Sequence, residues 1–206
     1  MPWGGYAGGN ARARMSLLMP DTGYDYWFAE NGGGGGGGGG GPALSEGCQN
    51  ALRVTNKDAS SVQRALAAKD TLQAAAQGTP IDWTILAAIG IRESGFVNIS
   101  EVDGAGVGVG VFQITVSATS GVTAQQAGSL TWAANYAAQL LNSNMTYLAS
   151  QFPNFTPSQL LQATAASYNM NPYKPGNFTG NPNTIDGGTA GGNYGSNVLQ
   201  LMDCFH

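Results

Sequence analysis

Ten consecutive glycines, Gly32 to Gly41, closed by Pro42, split this chain into two parts that cannot share a continuous element of secondary structure. Glycine loses the most conformational freedom on folding and has no side chain to bury, so an unbroken run of it reads as a flexible tether. Three regions follow: an aromatic, Gly-rich segment of residues 1–31, a polyglycine linker of residues 32–42, and a domain of residues 43–206. The first segment carries Trp3, Tyr6, Tyr24, Tyr26, Trp27 and Phe28 but is too short to build its own core. It reads as the end of a larger parent protein or as a strip that docks on a neighbour. Its apolar run, Met15 to Met19, is too short for a secretory leader, so action outside the cytoplasm implies another delivery route or a leader already removed.

Charged residues make up 10% of the chain, far below the usual quarter, and small and amide side chains take their place. That composition suits an exported protein made soluble by neutral polar groups. A net charge of −4, with no cluster of Lys and Arg, argues against a nucleic-acid partner. No apolar stretch approaches the roughly 18 residues of a membrane span.

The domain reads as mostly helical. Asn56-Lys57-Asp58 opens a helix to about Gln77, with Val62, Leu66 and Leu72 inward and Gly78 as its stop. Residues 97–114 break the helical pattern: Val107, Val109 and Val111 alternate with glycines, as in a short strand or hairpin. Thr131 to Ser150 reads as a helix capped by Ser129, with Trp132, Tyr136, Leu140 and Leu141 on its buried side. Thr156-Pro157 is a cap followed by proline at the first helical position, opening a helix to about Tyr168. Residues 171–193 form a Pro/Gly/Asn-rich loop, and Tyr194 to Cys204 a closing helix. The expected fold class is α+β, predominantly α, with a small β-hairpin region.

Within this frame Glu93 stands out. Ile81 to Gly95 reads as one helix, with Asp82 as N-cap and Gly95 as the stop. Ile85, Ile89 and Glu93 are four residues apart, so they lie on one face, and the face that takes the isoleucines inward takes Glu93 with them. Lost hydration and the partial negative charge of a helix C-terminus both favour the protonated acid. A carboxylic acid that keeps its proton near neutral pH is what general-acid catalysis requires. The competing reading is a solvated acid, or one paired with Arg92.

Three blocks then fall in order: Ile91-Arg92-Glu93-Ser94-Gly95; Gly106-Val107-Gly108-Val109-Gly110-Val111-Phe112-Gln113-Ile114; and Ala166-Ser167-Tyr168-Asn169-Met170-Asn171-Pro172. Together they resemble the lysozyme-like superfamily of soluble lytic transglycosylases and goose-type lysozymes, over about residues 80–172. The resemblance implies a lysozyme-like domain whose β-hairpin region lines a sugar-binding cleft, with Glu93 as the acid that protonates the glycosidic oxygen. It implies Ser94 as a polar neighbour of that acid, Gly108 and Gly110 as backbone lying close to the sugar, and Gln113 as an amide for an N-acetyl group or for Glu93. Tyr168 is expected over the acid with its hydroxyl on the carboxyl, and Asn169 to support that turn. Gln113 bonding only backbone, and Tyr168 as a core tyrosine, are the plainer alternatives. Phe112 replaces the family's methionine, Met170-Asn171-Pro172 replaces its Ala-Gly-Pro, and Thr115 stands where goose-type enzymes carry an aspartate.

Of the nine acids in residues 43–206, only Glu101 and Asp103 sit on the segment expected to face Glu93. Asp103 is the better candidate for a second, water-activating carboxylate, against the alternative of a turn former before Gly104. Without one, a lone Glu93 suffices for a lytic transglycosylase, in which the sugar's own 6-hydroxyl attacks. The expected activity is therefore muramidase or lytic transglycosylase on the MurNAc–GlcNAc β-1,4 bond of peptidoglycan, in the cell envelope. A chitin- or chitosan-cleaving glycosidase and a non-catalytic wall-binding module are the alternatives. A toxin module on a larger secreted protein would also require a dedicated inhibitor as partner. No metal or cofactor is implied, since His206 is the only histidine and the cysteines lack metal-ligand spacing. Cys48 and Cys204 lie near the two ends of the domain; a disulfide between them would close a loop of about 157 residues, worth roughly 4–5 kcal/mol. The alternative is two unrelated buried thiols.

Overall fold

The computed structural model describes residues 15–17, 44–103, 106–117 and 120–206, with residues 15–17, 102, 103 and 106 described through their backbone. The expected linker, and segment 1–31 apart from Met15–Leu17, lie outside the described residues. The fold is α+β and predominantly α, as the patterning predicts. Its elements in order are β1 (Met15–Leu17), α1 (Glu46–Val54), α2 (Ala59–Ala67), α3 (Lys69–Ala76), α4 (Trp83–Ser94), β2 (Ser100–Asp103), β3 (Gly106–Val109), β4 (Ile114–Val116), α5 (Ala124–Gly128), α6 (Leu130–Gln151), α7 (Pro157–Asn169) and α8 (Tyr194–Met202). Strands β2, β3 and β4 form an antiparallel meander, and β1 pairs with the outer edge of β2. Among the described residues no helix is long and apolar enough to cross a membrane.

Helix α4 is the centre of the domain. Thr84 through Ile91 are all buried, so the helix is enclosed on every side rather than along one stripe. Helix α3 lies against it from one direction, α6 and α8 from others. Its boundaries have local causes. Asp82 Oδ1 accepts from the N–H of Thr84 at 2.8 Å and from its hydroxyl at 2.6 Å, and Gly95 ends the helix in the left-handed region at φ 70°. Gly90 is required in mid-helix, because a Cβ there would lie 2.7 Å from the Phe96 ring and 2.9 Å from Val111.

Four details depart from the patterning. The helix expected over 56–77 is two helices, α2 and α3, meeting at Ala68, and Leu66 is turned outward at 40% exposure while Val62 and Leu72 are fully buried. Helix α1, capped by Ser45, precedes it. On α6 the buried stripe is Ala133, Ala134, Ala137, Ala138 and Leu141. Trp132, Tyr136 and Leu140 are half-buried at its margin, with Trp132 stacked on Tyr136 at 5.2 Å between ring centroids. Small residues in that stripe let α6 approach the core closely. Finally, the 171–193 loop contains two 3₁₀ turns, Pro182–Thr184 and Ala190–Gly192, and buries Ile185 and Asp186.

Cys48 on α1 and Cys204, in the 3₁₀ turn after α8, form a disulfide with their Cα atoms 5.0 Å apart. The staple holds α1 against α8, which pack on each other.

Candidate functional site

Glu93 is the penultimate residue of α4, half-buried, and the helix end beneath it is braced from three directions. The left-handed Gly95 returns the chain, with Gly95 N–H on Ile91 O at 2.8 Å and Phe96 N–H on Gly90 O at 3.0 Å. Arg64 from α2 donates through Nε and Nη2 to the Gly95 carbonyl at 3.1 and 2.8 Å, a cation on the negative end of the helix. Ser94 is buried: its Oγ lies 2.9 Å from Val111 O and 3.2 Å from Gly90 O and accepts from Val97 N–H at 3.0 Å. Ser94 therefore binds the glycine block to α4.

The hydroxyl of Tyr194, the first residue of α8, donates to Glu93 Oε1. Tyr194 is 2% exposed. Burial first, then the charge of Glu93 and the hydrogen bond to it, hold the Tyr194 phenol well above its ordinary value of 10.0; Tyr168 acts in the same direction and Arg92 opposes. The phenol is thus a fixed donor on the acid at every physiological pH. Arg92 covers the other side of the ring, its guanidinium 5.0 Å from the ring centroid. It donates through Nη1 to Asn197 Oδ1 at 2.7 Å and through Nη2 to Asn193 Oδ1 at 3.0 Å and Ala190 O at 3.3 Å. Asn197 in turn donates through Nδ2 to Ala51 O of α1 at 3.0 Å.

The hydroxyl of Tyr168, the residue expected on the acid, donates to the carbonyl of Phe112 at 2.8 Å. It ties α7 to the turn between β3 and β4, while Tyr194, from a different helix, donates to Glu93 Oε1. Asn169 Oδ1 accepts from Ala190 N–H at 2.8 Å, joining the end of α7 to the loop that Arg92 also holds. Gln113 adopts φ 48° and donates through Nε2 to Gly110 O at 2.8 Å and Ile99 O at 3.1 Å. Gly108 makes room for that side chain, since a Cβ there would lie 2.8 Å from Gln113 Oε1. Gly110, at φ 80°, is needed for protein packing: a Cβ would lie 2.1 Å from Ala127 O of α5. Both glycines therefore have an internal reason to be glycine.

The candidate second acids lie on β2. In backbone register Glu101 is opposite Gly108 of β3, and Asp103 is opposite Gly106. Gly108 is opposite Thr115 of β4 on its other side. The Asp103 side chain lies outside what the structure describes.

Tyr194, Arg92, Asn193 and Asn197 complete a cluster that sequence spacing misses. Their one local signal is that Asn193, the N-cap residue of α8, comes four positions before Asn197. Chemically, the cluster presents a carboxyl group held by a permanent phenol donor, a proton-transfer group in type. Among the described residues no three His, Cys, Asp or Glu side chains converge as metal ligands would. A shallow depression of about 410 Å³ lies at the opposite end of α4, against Gln73, Gln77, Ile81 and Trp83. Its one acid, Asp82, is occupied as a helix cap, so the depression offers concavity without the chemistry found at Glu93. No protein-family model matches the chain, and no curated protein is detectably similar to it in sequence.

Proposed function

We propose that the chain is a lysozyme-like glycosidase acting on the MurNAc–GlcNAc β-1,4 bond of peptidoglycan, as muramidase or lytic transglycosylase, with Glu93 as general acid. The observation that carries this reading is the buried Tyr194 hydroxyl donating to Glu93 Oε1 at the end of a fully enclosed helix. That donor holds the orientation of the carboxyl group, which in the proposed reaction carries the transferable proton. In the proposed reaction Glu93 gives that proton to the glycosidic oxygen as the bond to the anomeric carbon breaks. On one route the resulting carboxylate then takes a proton from the sugar's own attacking 6-hydroxyl; on the second a water attacks and a separate base takes its proton. The second route is favoured by a carboxylate on β2, where Glu101 and Asp103 are the candidates. The disulfide suits an oxidising compartment, which supports action in the cell envelope after secretion or delivery.

Digestion of purified sacculi, with mass spectrometry of the released muropeptides, tests the proposal. Anhydro-sugar ends identify a transglycosylase and reducing ends a hydrolase. Release from chito-oligomers but not from sacculi would move the substrate to chitin or chitosan. Binding of sacculi with no product from either substrate would leave a wall-binding module and sink the catalytic reading.

A further inference from the structure

Asp186 sits in the loop between α7 and α8, is 8% exposed, and accepts three hydrogen bonds. Its Oδ1 accepts from Gly195 N–H at 2.5 Å, and its Oδ2 from Ser196 N–H at 2.9 Å and from Gln162 Nε2 at 2.9 Å. Its carbonyl accepts from Thr189, through N–H at 2.9 Å and hydroxyl at 2.8 Å, and Thr189 Oγ1 accepts from Tyr194 N–H at 3.2 Å. The first three N–H groups of α8, those of Tyr194, Gly195 and Ser196, are thus all held by the Asp186–Thr189 loop. Residue 195 has to be glycine for this approach: a Cβ would lie 3.0 Å from Asp186 Oδ1 and 2.4 Å from Gln162 O of α7.

The residue at the head of this clamped turn is Tyr194, whose hydroxyl meets Glu93. We infer that Asp186 is a positioning residue for the reaction at Glu93, acting through Tyr194: it sets the first turn of α8 so that the phenol stays on the carboxyl. A buried anion at a helix start both satisfies otherwise unpaired N–H groups and opposes fraying of that turn. A phenol at the head of a frayed turn would lose its fixed place on Glu93 Oε1. The inference deepens the proposed glycosidase reading and rests on it for its kinetic part.

Asp186→Asn keeps the shape of the side chain but turns one acceptor into a donor facing an N–H. With sacculi as substrate, kcat is expected to fall about tenfold with KM unchanged. In a Tyr194→Phe background the same substitution is expected to cost nothing further, because no hydroxyl remains to be placed. Losses that multiply in the double variant, a change confined to KM, or wild-type kcat in Asp186→Asn would each overturn the assignment. If Asp186→Asn does not fold, Gln162→Met removes one donor to Asp186 at similar volume, and a smaller loss that again vanishes with Tyr194→Phe is expected. The ring-carbon NMR shift of specifically labelled Tyr194 reads its hydrogen bond without substrate. It should move toward that of a solvated tyrosine in Asp186→Asn, and an unmoved signal counts against the inference. A wild-type chain that cleaves neither sacculi nor chito-oligomers would instead sink the glycosidase reading, whatever that signal does.

Discussion

Two carboxylates stand at the two ends of the same buried helix, roughly 16 Å apart for twelve residues, and they differ in what donates to them. Asp82 accepts from Thr84, two residues away, and is exposed. Glu93 accepts from Tyr194, 101 positions away in sequence, and is half-buried. The first contact starts a helix and needs only the helix. The second requires α8, the loop that clamps it and the disulfide that holds α8 to α1. Asp82 is held from within its own helix, whereas Glu93 is held by a side chain of another. The difference separates a cap from a candidate acid.

The sharpest break between the two ends is removal of the acid. Glu93→Gln preserves size and an acceptor for Tyr194 but has no proton to give. Sacculus digestion is expected to fall about a thousandfold or more, within the usual range for a general acid, with thermal stability little changed. Residual activity within tenfold of wild type, measured by muropeptide release, would show that the proton comes from elsewhere.

Next is the disulfide, which bears on one end only. Cys48 and Cys204 are 156 positions apart. Removing the bond by Cys48→Ser with Cys204→Ser is expected to cost about 4 kcal/mol, since the cross-link restrains a very long loop of the unfolded chain. Urea unfolding checks this, and reduction of the wild type should reproduce it. Because α8 carries Tyr194 and Asn197 reaches α1 through Ala51 O, activity should fall at denaturant concentrations where the α4 helix signal is still intact. Simultaneous loss of both would show that the Glu93 end has no separate dependence on the staple.

Tyr194→Phe has a smaller effect. Deleting a hydrogen bond to an ionisable group costs about 1.5–3 kcal/mol, so kcat is expected to fall about 10- to 100-fold. The same variant changes the alkaline stability. Tyr194 in the fold holds its proton well above the ordinary value of 10.0. Above that pH the unfolded chain releases a proton that the folded chain retains, so stability present below pH 10 declines as pH rises toward the folded value. Tyr194→Phe removes that contribution, and its stability should decline less than that of wild type between neutral pH and pH 11. Parallel curves would exclude a buried, proton-retaining Tyr194.

What was legible in the sequence follows the same division between local and distant contacts. Asp82 and Gly95 bound α4, Ser129 caps α6, and Thr156 with Pro157 opens α7, because caps and stops act within a few residues. The break at Ala68 carries no glycine or proline, so nothing local announces it. The alanine face of α6 is hidden by the larger Trp132 and Tyr136 beside it. Glu93 stands out because its position on a helix is a local property. Tyr194 and Asp186 do not, since each acts through a partner fixed only when α7, α8 and α4 have packed. The contact of Tyr168 with Phe112, 56 positions away, is of the same distant kind.

The smallest expected effect completes the comparison from the structural end. Asp82→Ala removes an N-cap that satisfies Thr84 N–H and hydroxyl, and caps of this kind contribute about 1 kcal/mol. Stability measured by urea unfolding should fall by about that amount. Activity on sacculi at a temperature well below unfolding should stay within twofold of wild type, since α4 is held at its other end by Arg64, Ser94 and Gly95. A loss of activity much larger than the loss of stability would mean that the start of the helix sets the position of its end. Asp82 would then join Asp186 among the residues that act on Glu93 from a distance.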